Sequence, residues 1–147
     1  MPVQVPIKKL DPRAKLPTYG SAYAAGADLC ALLDAPADIP AGATLLVRTG
    51  LAAEIPEGYA GLIYARSGLA SKRGLAPANK VGVVDADSRG EIMVALHNHS
   101  SVTQTVEPGE RIAQLVITPF LTAEFTEADE LSDTVRGAGG FGSTGKI

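Results

Sequence analysis

Four stretches of this chain carry side chains suited to chemistry on an anion. Gly140-Phe141-Gly142-Ser143-Thr144-Gly145-Lys146 fits GxxxxGK, most of a P-loop. The residue after the lysine is Ile147 rather than the Ser or Thr that would hold a metal, so a P-loop NTPase is rejected. The underlying physics survives: glycines let backbone N–H groups approach phosphate oxygens, and the two hydroxyls can donate as well. In Ala65-Arg66-Ser67-Gly68-Leu69-Ala70-Ser71-Lys72-Arg73-Gly74, a strand runs into a short helix expected over Ser67 to Arg73. Ser67 is expected to cap that helix and Gly74 to end it. A helix N-terminus favours anions, and Arg66 adds a fork suited to phosphate. An ordinary capped helix with a surface arginine is the plainer reading of the same stretch.

Val83-Val84-Asp85-Ala86-Asp87-Ser88-Arg89-Gly90 leads a strand into a tight acidic turn. Asp85 and Asp87 share a side if the backbone stays extended. One of them suits a general base or a metal ligand and the other a turn cap, with an Asx turn between strands as the alternative. Asp28, in Ala25-Gly26-Ala27-Asp28-Leu29, is an acid flanked by apolar residues on a strand, a mild metal-site signal. His97 and His99 frame Asn98 but lack further ligands for zinc, so they read as structural or surface residues. Cys30 is the only cysteine, which excludes an internal disulfide and a Cys-based zinc site. It reads as a small buried hydrophobe. No Ser-His-Asp or Cys-His arrangement stands out.

The elements that must position these groups are short strands. At 147 residues the chain fits one domain. Its net charge of -3 argues against a general nucleic-acid binder. Apolar residues at 46% suffice for a core, and 16 Gly, 10 Pro and no Trp suit a turn-rich β fold. Strands are expected near Val3–Ile7, Ala27–Leu32, Thr44–Thr49, Leu51–Ile55, Tyr59–Ala65, Val81–Val84, Glu91–His97, Thr103–Glu107 and Arg111–Thr118. Pro40-Ala41-Gly42, Pro56-Glu57-Gly58 and Pro108-Gly109 separate them as turns. The pattern predicts an all-β protein, an antiparallel jelly-roll barrel or sandwich with one short helix. Residues 137–147 hold five glycines and few apolar side chains, so a flexible C-terminal arm is expected after a domain spanning 1–136. No run of about 18 apolar residues suggests a transmembrane helix, and the N-terminus lacks the apolar core of a signal peptide. A soluble, cytoplasmic protein with no nucleic-acid or membrane partner is expected.

Each motif is weak alone, but their order and spacing are specific. The chain resembles the trimeric dUTPase family along almost its whole length. Five blocks carry the resemblance: Ala25–Leu29, Ala65–Ala70, Gly82-Val83-Val84-Asp85-Ala86-Asp87 with Arg89-Gly90, Pro108–Leu115, and Arg136–Thr144. The resemblance implies that dUTP is hydrolysed to dUMP and pyrophosphate, limiting uracil in DNA and supplying dUMP for dTMP synthesis. It further implies Asp85 as the general base, Mg2+ as cofactor, and Asp28 as the acid that holds it through water. Arg66, Ser67, Gly68 and Gln114 are implied as contacts to the triphosphate and its metal-water cluster. Asn79, Gly82, Val83 and Met93 are implied as the uracil and deoxyribose pocket, with Val84 as a further substrate contact. Arg136, Gly142, Ser143 and Thr144 are implied as arm ligands of the γ-phosphate, and Phe141 as the ring that stacks on uracil. In the family, three chains build each site, so a homotrimer is expected. One position departs: the family's third block usually has Tyr after the second Asp, and here it is Ser88. Two rival readings are a dCTP deaminase of the same fold, for which no convincing catalytic Glu is present, and a nucleotide-sensing module without catalysis.

Overall fold

Along the strand Glu91–Asn98 alternate side chains turn inward: Ile92, Val94, Leu96 and Asn98 are buried, and Met93 between them is exposed. A period of two marks a sheet with one covered face. The computed structural model describes residues 2–147 and repeats this pattern across the chain. In chain order the strands are β1 Ile7–Lys9, β2 Thr18–Tyr19, β3 Ala27–Cys30, β4 Ala37–Ile39, β5 Thr44–Ala53 and β6 Tyr59–Tyr64. The helix α1, Ser67–Arg73, follows, and then β7 Leu75–Pro77, β8 Gly82–Val84, β9 Glu91–Asn98, β10 Gln104–Val106 and β11 Arg111–Pro119. They form a four-stranded sheet β1-β5-β9-β7, a five-stranded sheet β2-β3-β11-β6-β8 and a small β10-β4 pair. Every pairing is antiparallel. Leu29 and Ile112 from the five-stranded sheet, Val47 and Leu51 from the four-stranded one, and Ile39 and Val106 from the pair meet in one core. This is the expected jelly-roll sandwich with one short helix.

Several boundaries differ from the sequence expectation, each for a local reason. Thr44–Thr49 and Leu51–Ile55 are one strand, β5, interrupted by a bulge where the register to β9 shifts between Arg48 and Leu51. Gly50 has φ +71°, and a Cβ there would lie 2.8 Å from Leu32. The polar groups freed by the bulge are satisfied internally: Thr49 donates to the Ile92 carbonyl at 2.5 Å, and the Gly50 amide donates to Glu91 at 3.0 Å. The first strand is not Val3–Ile7 but Ile7–Lys9. Pro6 has no N–H for a ladder, so pairing begins after it. The short strands β2, β4 and β7, two or three residues each, have too little sequence to show a period.

The proline-led turns form as expected, with Gly42, Gly58 and Gly109 at φ between +76° and +84°. Gly74 ends α1 in the left-handed conformation at φ 67°. Ser67 is not the cap of α1. The N-cap is Arg66, in extended backbone, and no side chain caps the helix. The chain enters α1 directly from β6, which places the arginine, rather than the serine, at the junction. After β11 the chain loses its cover: every residue from Phe120 to Gly139 is exposed. Leu121, Phe125, Leu131 and Val135 in that stretch are almost wholly exposed. No helix among the described residues is long and apolar enough to cross a membrane.

Candidate functional site

The candidate residues gather in two clefts. The first lies where β6 pairs with β8, Ile63 opposite Gly82. It encloses about 260 Å³ and is lined by Asn79, Gly82, Val83, Val84, Asp85 and Met93, with Ser88 at its edge. Gly82 is needed for close approach: a Cβ there would stand 3.2 Å from the Asn79 amide and 3.3 Å from Ile63. A narrow, mostly polar slot with backbone groups at its floor can pair with the edge of a planar heterocycle. The resemblance implies Asn79, Gly82, Val83 and Met93 as one pocket, and the fold brings these four together with Val84 and Asp85.

Asp85 leaves β8 and opens a turn closed by the Ser88 amide donating to the Asp85 carbonyl at 3.1 Å. The Asp85 side chain is exposed to the cleft and accepts no hydrogen bond among the described residues. It is thus free to accept one from a water or ligand. Asp87 is different. The turn is not extended, so the two acids do not share a side. Asp87 lines a separate cleft with Glu54, Glu57 and Arg89. The expected pairing of Asp85 with Asp87 is therefore corrected.

The second cleft, about 440 Å³, opens where β6 enters α1 beside the start of β11. Arg66, Gly68, Lys72, Arg73 and Arg111 line it with Glu110. Arg73 pairs with Glu110 at 2.5 Å and Arg66 and Arg111 both pair with Asp28, so two carboxylates offset part of the cleft's four positive charges and Lys72 alone has no ion pair among the described residues. Asp28 lies behind the arginines and is only 8% exposed. Its carboxylate accepts from Arg66 Nε at 3.0 Å and from Arg111 Nη1 at 3.4 Å. Arg66 also donates to the Arg111 carbonyl at 3.3 Å. An isolated buried acid is costly, and two guanidinium partners account for its presence on a strand. Asp28 is therefore an anchor for two arginines first, not a bare ligand. Among the described residues no group of three His, Cys, Asp or Glu side chains could hold a metal ion.

Register brings Gln114 to this place. It sits opposite Asp28 on β3 and opposite Tyr64 on β6. Its amide donates to the Ala65 carbonyl at 2.9 Å. Its Oε1 lies over Gly26, where a Cβ would be 2.2 Å away. Gly26 thus clears the path for Gln114. Gly26, Arg111 and Lys72 were not singled out as site residues from sequence. Pairing of β11 with β3 and β6 brings Arg111 and Gly26 to the site, and Lys72 comes from the exposed face of α1.

The two clefts share no lining residue. The tail residues Arg136, Phe141, Gly142, Ser143 and Thr144 line neither of them. Arg136 instead donates to the Gly139 carbonyl at 2.8 Å, and Phe141 is fully exposed. One chain therefore offers three separated groups: a slot with a carboxylate, a cationic cleft, and an exposed segment carrying an aromatic ring and hydroxyls. Cys30 is half-buried rather than buried, and burial pushes its thiol up from the usual range, which leaves it a poor nucleophile at neutral pH. The His97 and His99 rings stack edge to face at 4.4 Å, and His97 meets the Thr44 hydroxyl at 2.8 Å, a surface pairing away from both clefts.

Comparison with known proteins adds the following. The dUTPase family model matches residues 12–145. A deoxyuridine 5'-triphosphate nucleotidohydrolase of Acinetobacter baumannii is 48% identical over 149 residues, covering 98% of this chain and 99% of that one. One from Desulfitobacterium hafniense is 50% identical over 97% of this chain and 95% of its own. Among solved structures, the dUTPase of Staphylococcus bacteriophage 80alpha with dUPNHPP superposes with a TM-score of 0.88 at 29% identity, covering 97% of this chain and 99% of that one.

Proposed function

The chain belongs to the dUTPase family and is a dUTP diphosphatase, and from that membership we propose that the slot at Asp85 and the cationic cleft at Arg66 are two parts of one catalytic site. The observation that carries this reading is the separation of functions. The slot holds a free carboxylate beside backbone groups that fit a base, while the cleft holds the cations that fit a triphosphate.

In the slot, backbone groups beside Gly82 and the Asn79 amide suit the O4 and N3–H edge of uracil, a pattern that cytosine reverses. Tight walls leave no room for a 5-methyl group. Asp85 orients a water and takes its proton as the water attacks the α-phosphorus in line. The bond from the α-phosphorus to the bridging oxygen breaks, and pyrophosphate leaves carrying the electron pair. Arg66 and the hydroxyl of Ser67 stabilise charge on the leaving group. Gly68, without a side chain, keeps the helix entry open to phosphate. In the fifth block, Arg136, Gly142, Ser143 and Thr144 engage the γ-phosphate, and Phe141 stacks on the base.

The residues fit magnesium in one way only. With no three-ligand protein cage among the described residues, a magnesium ion would rest mainly on phosphate and water oxygens, as suits an ion that keeps its waters. Asp28, by the lone pairs that Arg66 and Arg111 leave, and Gln114 would accept from such waters. When bound, magnesium supplies charge neutralisation along the triphosphate.

Because no lining residue is common to the two clefts, and the tail reaches neither, we read the working unit as a C3 trimer in which neighbouring chains complete each site. The test is to measure dUMP and pyrophosphate release from dUTP together with the mass in solution by light scattering. A mass of three chains with turnover of dUTP is expected. A monomer with full turnover overturns the shared site.

Ser88 sets a second prediction. It lines the slot beside Asp85, where the family's usual tyrosine would fill more space. Discrimination against UTP is expected to be weaker in this chain than in the Ser88→Tyr variant, read as the ratio of kcat/KM for dUTP and UTP. Equal ratios would mean that another group fills the gap.

A further inference from the structure

The Asp85 carboxylate has no hydrogen bond of its own to hold it, so its aim depends on the turn that carries it. That turn has one internal backbone bond, from the Ser88 amide to the Asp85 carbonyl. A side chain supplies the rest. Arg89 Nη1 donates to the Ala86 carbonyl at 2.7 Å and to the Ser88 carbonyl at 3.0 Å. Its Nη2 donates to Glu54 Oε1 at 3.2 Å. Glu54 directly follows β5, and its own amide donates to the Pro6 carbonyl at 2.9 Å. The guanidinium therefore gathers two carbonyls of the turn and ties them to the end of a strand in the other sheet. β8 belongs to the five-stranded sheet and β5 to the four-stranded one, and the turn crosses from β8 into β9, which pairs with β5, so the guanidinium staples the crossing between the sheets.

We propose that Arg89, braced by Glu54, is a positioning residue for Asp85, holding the β8–β9 turn so that the carboxylate stays at the mouth of the slot. The proposal rests on the reading of Asp85 as the general base. Three features favour positioning over bulk stability. Both partners are more than half exposed, at 56% and 58% of the side chain, and exposed ion pairs contribute little to stability. Apart from the tie to Glu54, the guanidinium's contacts fall within the turn between Asp85 and Arg89, not in the core. The fork is also one a lysine cannot reproduce, because a single ammonium lacks the planar spread to meet two carbonyls and a carboxylate together. Glu57 and Asp87 line the cleft behind the turn with Glu54, so loss of the guanidinium leaves three carboxylates and no cation along it. That repulsion works to open the turn.

The experiment uses the full chain with Arg89→Ala, Arg89→Lys and Glu54→Gln, and Asp85→Asn as the reference. It reads kcat and KM for dUTP, with the melting temperature of each variant. Displacing a reacting group by about 1 Å can cost on the order of 100-fold in rate. Arg89→Ala is expected to lose about 10- to 100-fold in kcat, with KM changed by less than about threefold and the melting temperature close to that of the parent. Arg89→Lys should recover part of the loss, and Glu54→Gln should show a smaller loss of the same kind. Glu54→Gln keeps the size of the side chain and leaves the turn's own residues untouched, so it remains informative if Arg89→Ala does not assemble. Full kcat in Arg89→Ala and in Glu54→Gln overturns the proposal. So does a kcat loss that only tracks the melting temperature. If Asp85→Asn itself keeps full turnover, the base assignment fails and takes the Arg89 proposal with it. If Asp85→Asn is inactive while the Arg89 variants are not, the positioning proposal alone fails.

Discussion

Asp85→Asn is expected to lower turnover of dUTP by about 10²–10⁴ or more, while binding of a non-hydrolysable analogue should stay close to that of the parent. The substitution keeps the size of the side chain and removes the proton acceptor. Its specificity follows from the surroundings. The carboxylate is exposed and accepts no hydrogen bond among the described residues, so the amide breaks no structural contact. Exposed substitutions of this kind usually change stability by within about 0.5 kcal/mol. The turn itself is closed by the Asp85 carbonyl, which the variant retains. Pyrophosphate release gives kcat, and calorimetry with the analogue gives the affinity. Asp87→Asn is the matched control. It lies two residues on and carries the same charge, but it lines a different cleft and is expected to keep its turnover. Near-parental activity in Asp85→Asn, or equal losses in the two variants, would sink the assignment.

That control matters because the sequence alone does not separate the two acids. An extended reading of Val83–Asp87 puts both on one side, and only the turn closed by Ser88 sends them apart. Turn geometry here depends on Arg89 reaching Glu54, 35 residues earlier in the chain, and no local pattern encodes such a contact. The slot was easier to read, because Gly82, Val83, Val84 and Asp85 are consecutive and Met93 comes from the next strand. The cationic cleft was half legible. Arg66 announced itself by type, but Arg111 became a partner of Asp28 only when β3, β11 and β6 were laid side by side. The same holds for the fold. The proline-led turns and the long alternating strands stand out in sequence, whereas β2, β4 and β7 exist through pairing with longer neighbours rather than through any period of their own. The Gly50 bulge hid in plain view: a glycine that looks like a break between two strands is a kink within one.

Removing residues 137–147 is expected to leave a folded assembly that has lost most of its turnover, about 100-fold or more. The structural half of this expectation rests on what the segment touches. Its hydrogen bonds are local: Ser143 N–H donates to the Gly140 carbonyl and Gly145 N–H to the Gly142 carbonyl, and those that leave the segment reach only Thr134 and Arg136 just before it. Phe141 and Ile147 are fully exposed, and no residue of the segment contributes to the core. Its loss therefore takes nothing from the packing that holds the sandwich. The functional half rests on its chemistry. Five glycines make the segment costly to order, so ligand contacts must supply the ordering energy. Stacking of a base on Phe141 is worth about 1–3 kcal/mol, and a guanidinium–phosphate pair at Arg136 adds charge-assisted bonds. Closure should then need both the base and the γ-phosphate, and dUMP, which lacks the latter, should order the segment poorly. Two measurements check this. Melting temperature and light scattering should match the parent, while kcat falls. In the full chain, proteolysis after Arg136 should slow with a non-hydrolysable dUTP analogue and magnesium, and much less with dUMP. Equal protection by both ligands, or undiminished turnover after truncation, would make the segment a plain frayed tail, and the ring and hydroxyls of 141–144 would need no place in the site.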